Sequence, residues 1–275
     1  MRLEKAKLVF RKDWLEIRRN WQVILPIVVV PLMISVFIPV ILAVVANVVP
    51  GSGAQLNGFE TLMQSLPQQI QEQLAGMTEI QSMIYVLGLY FLAPFFLIIP
   101  LMASSVIASD SFAGEKERKT IEALLATPIS DSELFFGKML VSFIPSMIVT
   151  IVSFVVYSTV FDLLSFSIFN GGVLLLPNLD WILLIFGLAP TVALASIGLT
   201  VIISAKVKGF KEAQQISVIL LLPILALVFG QVAGAVIFGP VLILILTGLF
   251  GIIDLAVFRI GVKLFKREEI LTKLA

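Results

Sequence analysis

The chain has 275 residues, of which 59% are hydrophobic and only 13% are charged, and its formal net charge is +1. A soluble domain carries about a quarter charged residues, so this composition indicates an integral membrane protein, in which charge placement matters more than net charge. The chain contains neither cysteine nor histidine. Their absence excludes disulfide frameworks, zinc sites built on these residues, cysteine nucleophiles and Ser-His-Asp triads.

An amphipathic helix is predicted over residues 1–21, before the first long apolar run. Its apolar residues recur at spacings of three and four, the period of one helix face: Leu3, Ala6, Phe10, Trp14, Ile17 and Trp21. Tryptophan and basic side chains are typical of a helix lying in the membrane interface. The candidate interface residues are Phe10, Trp14, Ile17, Arg18, Arg19 and Trp21. The alternative is a helix that packs against the rest of the protein.

Six apolar segments can cross a membrane, since a spanning helix needs roughly 20 apolar residues. They are predicted at residues 22–46, 83–108, 138–161, 181–204, 215–236 and 240–262. The last two are divided at residues 237–240, where a Gly-Pro pair marks a turn. The predicted fold is an all-α integral membrane protein, a single transmembrane domain over residues 1–275. An external loop is predicted at 47–82 and a connecting segment at 109–137.

The positions of the basic residues predict the orientation of the spans. All 19 Lys and Arg residues lie near the two termini, around the 109–137 segment or in the 206–211 loop. The three remaining connections contain none. By the positive-inside rule, both termini, the 109–137 segment and the 206–211 loop face the cytoplasm. We therefore expect a multi-pass protein of the plasma membrane.

The 109–137 segment concentrates polar residues between two apolar runs. Residues 120–126 predict a short helix with three apolar residues on one face: Ile121, Leu124 and Leu125. Thr127 and Pro128 end this helix, and Ser130 with Glu133 forms a capping box that opens the third spanning helix. The short helix could dock into a groove on a soluble partner or fold back onto the bundle, and physical chemistry alone does not separate these alternatives.

Candidate catalytic and nucleotide-binding motifs are absent from the sequence. A Walker loop requires G-x-x-x-x-G-K-[ST], but the one Gly-Lys pair, Gly137-Lys138, lacks the upstream glycine and is followed by Met139. We expect no catalytic, cofactor-binding or metal-binding residue in this chain. Asp254 is the one deep ionisable residue of the predicted spans. It is interpreted either as a structural carboxylate with a basic neighbour near the inner boundary or as an ion site.

The run GEKERKTIEALLATPISDSELFFGKML, residues 114–140, resembles the signature of ABC-2-type transporter permeases. The matching residues are Gly114, Glu115, Glu117, Thr120, Glu122, Leu124, Leu125, Thr127, Pro128, Glu133, Gly137 and Lys138. Lys119 departs from the signature, which generally has glycine at that position. The predicted architecture is also similar to that of the family, with a basic amphipathic N-terminal helix, six spans and both ends cytoplasmic.

The resemblance implies both partners and a mechanism. Such permeases pair as dimers, here a homodimer, and engage a separate ABC ATPase subunit that binds ATP and Mg²⁺. The short helix between the second and third spans is the coupling helix, and the N-terminal helix lies along the lipid bilayer as an elbow. The ATPase-docking residues would be Gly114, Glu115, Glu117, Thr120, Ile121, Glu122, Leu124, Leu125, Thr127 and Pro128. Export is the family's usual direction, and nucleic acid is not an expected partner.

A stand-alone secondary transporter or channel is the alternative function. It would run on an ion gradient without any ATPase. An intramembrane hydrolase ranks below it, because no Ser-Lys or paired-carboxylate arrangement lies at a suitable depth. The cargo stays open, and the sparse charge inside the spans only leans towards an amphiphilic or lipid-like molecule.

Overall fold

The computed structural model describes residues 3–48, 66, 68–120, 127, 129–169, 176–233 and 238–264. Within these ranges every regular element is helical and no strand occurs, which confirms the predicted all-α membrane fold. Apart from Thr120, the predicted short helix at 120–126 lies outside the described residues. Residues 49–65 of the predicted external loop and residues 234–237 between the last two spans also lie outside them.

The helical segments follow the chain with few interruptions. The α-helical segments are Leu3–Ile17, Trp21–Leu32, Ile38–Val48, Gln68–Leu74, Glu79–Val86, Leu92–Phe96, Ile98–Ser109, Glu115–Glu117, Asp131–Ile168, Leu179–Leu183, Ala189–Ser204, Phe210–Ser217, Leu221–Val232 and Pro240–Leu264. Between them lie π-helical segments at Met33–Phe37, Leu87–Phe91, Asp110–Gly114 and Leu184–Leu188, and a 3₁₀ turn at Val218–Leu220. Several of these segments run into one another and form longer continuous helices.

Among the residues that the structure describes, six helices are long and apolar enough to cross a membrane, which agrees with the predicted number. We number them as spans 1 to 6: Trp21–Val45, Glu79–Glu117, Glu133–Phe166, Leu179–Ser204, Phe210–Val232 and Pro240–Gly261. Span 2 continues as helix well beyond the predicted end at residue 108. The predicted capping box is confirmed at the start of the span 3 helix, where Ser130 and Glu133 each accept a hydrogen bond from the other's backbone N–H.

Span 2 lies at the centre of the bundle. It is 72% buried and packs against spans 3 and 4, whereas spans 1, 5 and 6 are 28%, 22% and 11% buried. Leu3–Ile17, which we call the N-terminal helix, packs along the start of span 3. Lipid tails are as apolar as leucine, so the outer faces of spans 1, 5 and 6 need no cover from this chain.

Three π-helical segments come shortly before prolines. The pairs are Met33–Phe37 with Pro39, Leu87–Phe91 with Pro94, and Leu184–Leu188 with Pro190. Proline lacks a backbone N–H, and its ring clashes with the carbonyl four residues earlier. A wider π turn just before the proline accommodates that clash without breaking the helix.

The π-helical segment Leu87–Phe91 of span 2 is held by side chains from three neighbouring spans. Its carbonyl acceptors and their donors are Gly88 with Tyr157 Oη at 2.6 Å, Leu89 with Trp181 Nε1 at 3.0 Å, and Tyr90 with Gln231 Nε2 at 2.9 Å. All three donor residues are buried. Inside a membrane, neighbouring side chains replace water as partners for backbone groups freed from a regular helix. Spans 3, 4 and 5 therefore fix this part of span 2.

We expect Tyr157→Phe to destabilise the protein by about 1 kcal/mol, because the buried carbonyl of Gly88 loses its hydroxyl donor. Thermal unfolding in detergent micelles measures the effect. Tyr85→Phe is the matched control, since the Tyr85 hydroxyl donates to Gln73 at an exposed position. Equal losses of melting temperature in the two variants would contradict a special role for the π-helical segment.

Candidate functional site

The N-terminal helix, the end of span 2 and the start of span 3 meet at one end of the bundle, which we call the basic end. The N-terminal helix buries one stripe of side chains there: Ala6, Val9, Asp13 and Ile17. It approaches span 3 closely at Gly137, where an added Cβ would lie 2.9 Å from the Ala6 carbonyl oxygen. A small residue at a helix contact lets two backbones come together, so Gly137 permits this close packing.

Lys138 lies next to this contact and is fully buried, with 0% of its surface exposed. Its ammonium group is 2.6 Å from Glu115 Oε2 and 3.2 Å from Asp13 Oδ2, and it donates to the Ser111 carbonyl oxygen at 2.6 Å. The Ser111 hydroxyl donates to the same Asp13 oxygen at 2.7 Å. Lys138 therefore joins span 3 to both the N-terminal helix and the end of span 2.

Lys12 completes this charge cluster, which we define as Lys12, Asp13, Glu115 and Lys138. Its ammonium group pairs with Glu115 and lies 3.2 Å from Asp13 Oδ1. Burial alone would lower the pKa of Lys12, but Asp13 and Glu115 outweigh it and raise that pKa. Burial alone would raise the pKa of Asp13, but Lys138 and Lys12 lower it. Two ammonium groups thus face two buried carboxylates.

A partly exposed layer of polar contacts surrounds the charge cluster. Arg118 Nη1 donates to Asp110 Oδ1 at 3.0 Å, and Asn20 Nδ2 donates to the same oxygen at 3.1 Å. Arg118 also lies 3.6 Å from Glu16 of the N-terminal helix. The pair of Arg118 and Glu16 is exposed on both sides and contributes about 0–1 kcal/mol. Asp110 is buried, so its carboxylate depends on the donors that Arg118 and Asn20 supply.

The end of span 2 also contacts the connection between spans 4 and 5. Glu117 Oε2 accepts a hydrogen bond from the Phe210 N–H at 2.8 Å, and Lys116 Nζ donates to the Val207 carbonyl oxygen at 2.9 Å. A Cβ on Gly209 would lie 2.6 Å from Glu117 Oε2, so glycine allows this approach. Because Phe210 begins span 5, residues 116–117 link spans 2 and 5.

Span 2 ends at Lys119 in a backbone conformation that glycine favours. The φ angle of Lys119 is +56°, in the left-handed region, which costs a residue with a side chain about 1–2 kcal/mol. The Lys119 N–H donates to the Lys116 carbonyl at 3.2 Å and the Thr120 N–H donates to the Glu115 carbonyl at 3.0 Å. These two bonds form a Schellman motif. The family signature generally has glycine at this position, where its conformational freedom would remove the strain.

The predicted ATPase-docking residues divide into buried and exposed groups. Gly114 and Glu115 are buried against the bundle, Thr127 is half-buried, and Glu117 and Thr120 are exposed. The other predicted docking residues lie outside the described part of the chain: Ile121, Glu122, Leu124, Leu125 and Pro128. Among the residues described, Glu117 and Thr120 are thus the predicted docking residues that are exposed and could contact a partner.

The predicted membrane-interface residues lie on different surfaces. Ile17 is 3% exposed and packs inside the bundle, and Phe10 is half-buried. The exposed members are Trp14, Arg18, Arg19 and Trp21. One face of the N-terminal helix therefore packs against the rest of the protein, which was the alternative to a helix lying in the membrane interface. A role in the membrane interface stays a prediction for the exposed residues.

The charge cluster was not predicted from the sequence. Lys138 was identified only as a residue of the family signature, at the start of the third span. A signal for Asp13 was present, because it continues a stripe at spacings of three and four: Ala6, Val9, Asp13 and Ile17. A carboxylate on a buried helix face requires a partner of opposite charge. No local pattern showed that Lys138 would be that partner.

Carboxylates at two places could suggest ion binding: three acids at the basic end and the single residue Asp254 in span 6. Carboxylate oxygens of Asp13, Glu16 and Glu115 lie within 4.8 Å of one another. The ammonium groups of Lys12 and Lys138 already lie among them, so we assign ion pairing and not metal binding to this group.

In span 6, Asp254 Oδ1 is buried and has no hydrogen-bond partner among the described residues, so the basic neighbour expected from the sequence is not observed there.

These features define a multi-pass helical membrane protein whose basic end is organised around the segment between spans 2 and 3. The chain belongs to the ABC-2 family transporter proteins, whose sequence profile matches residues 8–247. The resemblance seen in the signature is thereby confirmed. Membership makes the chain the permease component of an ABC transporter, a membrane transport component and not a nucleotide-binding domain. A comparison with curated proteins finds no match.

We expect Lys138→Met to destabilise the protein by about 3–5 kcal/mol, because Asp13 and Glu115 lose a buried counter-charge. Adding Glu115→Gln to this variant should recover part of the loss, since one uncompensated carboxylate is removed. Glu16→Gln, which weakens the exposed pairs of Glu16 with Lys12 and Arg118, is the control and should cost about 0–1 kcal/mol. Chemical unfolding in micelles compares the native protein, the two single variants, the double variant and the control. Strictly additive effects of Lys138→Met and Glu115→Gln would contradict the coupling.

The pH dependence of the stability that Asp13 contributes is a further test of the charge cluster. Because the pKa of Asp13 lies below its ordinary value of 3.8, its stabilisation is present above that value and is lost as pH falls through the lowered pKa. The stabilisation contributed by Lys12 is present at neutral pH and is lost only when the pH rises through its raised pKa, at the alkaline end of the range. The difference in stability between the native protein and Asp13→Asn should therefore stay constant from about pH 5 to 9.

We expect Lys119→Gly to stabilise the end of span 2 by about 1 kcal/mol, because glycine adopts the left-handed conformation without strain. Hydrogen exchange at the Thr120 N–H should slow, and the melting temperature should rise slightly. Lys119→Ala is the control, because it removes the charge but keeps the strained conformation. An equal gain in Lys119→Ala would show that charge and not backbone conformation is responsible.

Proposed function

We propose that this chain forms the translocation pathway of an ATP-driven exporter and is moved by a separate ATPase subunit that docks at the basic end. ATP and Mg²⁺ would be bound by that partner and not by the permease. The observation that carries the proposal is the set of contacts made by residues 115–117, through which this short segment of span 2 reaches span 3, span 5 and the N-terminal helix.

The docking surface would be the exposed end of span 2 and the segment that follows it. Glu117 and Thr120 are exposed there, and they lead directly into the predicted coupling helix at 120–126. Apolar anchors on that helix would supply affinity, and the flanking charges would set the register of docking. Glu115 has a different role in this proposal, since its buried carboxylate holds the segment to Lys138 and does not contact the partner.

Motion of the docked segment would reach the spans through specific bonds. A push on residues 115–120 acts on span 3 through Lys138 and on the N-terminal helix through Lys12. It acts on span 5 through the bond between Glu117 and the Phe210 N–H. Packed, ion-paired contacts of this kind transmit displacement because the alternative is an unpaired buried charge.

The remaining parts of the proposal follow from charge placement and exposed surface. The clustering of basic residues at the basic end supports its placement in the cytoplasm, with both termini there and the protein in the plasma membrane. A homodimer is supported by spans 5 and 6, which are only 22% and 11% buried within one chain. Two such faces, or one face and lipid, would enclose a pathway for cargo.

A secondary transporter is the second candidate, and one observation favours it. Asp254 Oδ1 is buried in span 6 with no hydrogen-bond partner among the residues described, as a carboxylate in an ion or proton pathway can be. This candidate requires gradient-driven flux that Asp254→Asn abolishes in liposomes containing the permease alone. The exporter requires flux only when the ATPase and ATP are present.

Site-specific crosslinking tests the proposed docking surface. The chain has no native cysteine, so Thr120→Cys introduces a single attachment site for a photoactivatable maleimide. In native membranes we expect it to crosslink a protein that carries a Walker nucleotide-binding loop, identified by mass spectrometry. Glu72→Cys, an exposed position at the other end of span 2, should not crosslink that protein. Equal crosslinking from both positions, or none from Thr120→Cys, would refute the proposal.

A further inference from the structure

A groove lies at the basic end between the start of span 1 and the start of span 5. Its volume is about 380 Å³, within the range of about 300–1,000 Å³ for small-molecule pockets. It is lined by Trp21, Gln22, Leu25, Pro26, Phe210, Lys211 and Gln214. Phe210 forms a firm wall, because it is 6% exposed and packs with Ile17 and Val23.

Four of the residues that line the groove carry hydrogen-bond donors on their side chains, although most of the surface of the groove is apolar. Its donor side chains are the Trp21 indole N–H, the Gln22 and Gln214 amides and the Lys211 ammonium. None of these side-chain donors has a hydrogen-bond or ion-pair partner among the residues that the structure describes. Leu25 and Pro26 continue the groove as an apolar surface along span 1. The lining thus changes from cationic and polar to apolar within about two helical turns.

The charges around the groove are mostly positive. Four further basic residues are exposed in the two turns that meet there: Arg18, Arg19, Lys206 and Lys208. The nearest acids along the chain are Glu16, which pairs with Lys12 and Arg118, and Glu212, whose Oε2 accepts a hydrogen bond from the Lys208 N–H. An anion entering the groove would therefore meet a net positive field.

The depth of the groove matches that of lipid headgroups. Trp21 is the first residue of span 1 and Phe210 the first residue of span 5, so the groove lies where two membrane-crossing helices begin. Tryptophan is enriched at this level of the bilayer, with lysine and arginine next to it. Trp21 is 69% exposed and is free to contact a ligand in the bilayer.

We propose that this groove is a binding site for one anionic phospholipid. The phosphodiester lies against Lys211 and the Gln22 and Gln214 amides, and an acyl chain runs along Leu25 and Pro26. The site is built from residues of two spans that are distant in sequence, so a bound lipid bridges span 1 and span 5. The proposal does not depend on the direction of transport or on the ATPase.

Lipid-dependent stability of the purified full-length permease tests this site. In a nonionic detergent, phosphatidylglycerol should raise the melting temperature by several degrees more than phosphatidylcholine does. Lys211→Gln should weaken the apparent affinity for phosphatidylglycerol about fivefold, the effect expected for one basic residue at an anionic surface. Lys208→Gln is the matched control for the surrounding field, because it removes one exposed charge near the groove without changing the groove's lining.

The outcomes separate a specific lipid site from general attraction. A selective loss in Lys211→Gln, with Lys208→Gln close to the native protein, supports the site. Equal losses in both variants overturn it in favour of diffuse electrostatic attraction. Equal stabilisation by phosphatidylcholine also overturns it, because the headgroup charge would then be irrelevant. Stabilisation by inorganic phosphate alone, to the same extent, overturns the lipid assignment and leaves only an anion site.

Discussion

The buried ammonium group of Lys138 is the interaction on which the basic end depends. Removing an ion from water costs several kcal/mol, and only close carboxylates offset this cost. Those carboxylates come from two different elements, Asp13 of the N-terminal helix and Glu115 at the end of span 2. Neither element can leave span 3 without exposing an unpaired charge to a dry interior. The N-terminal helix is thereby part of the transmembrane bundle and does not simply lie beside it.

Span 2 is held at two points along its length by different kinds of contact. At the basic end, ion pairs and hydrogen bonds fix residues 110–118 to their neighbours. Towards the other end, the Leu87–Phe91 segment is held by neutral donors from spans 3, 4 and 5. Both points coincide with π-helical segments, which are common at functional sites in helices. A load applied at one end of span 2 would therefore be shared by most of the bundle.

The periphery has the opposite character from this rigid centre. Most residues in the apolar stretches of spans 1, 5 and 6 are not buried within one chain. The donors of the groove between spans 1 and 5 have no partners among the residues that the structure describes. Such surfaces suit lipid or a second subunit, because both supply apolar contact and lipid also supplies anionic headgroups. The centre of the bundle is thus tightly linked, whereas the outer spans leave surface for lipid or a second subunit.

The sequence alone determined the features that obey local rules. Six spans follow from the lengths of the apolar runs, and the capping box follows from Ser130 and Glu133 standing three residues apart. The signature around Gly114 pointed to the family for the same reason, since its residues are contiguous.

Only the tertiary structure decided which distant side chains meet. Asp13 and Lys138 are 125 residues apart, and Gln231 lies 141 residues from Tyr90. Helix periodicity shows which residues share a face, but it does not show which helices pack together or how each is rotated. Pairing of buried charges and donors depends on that packing, so the charge cluster and the groove between spans 1 and 5 could be recognised only once the helices were in place.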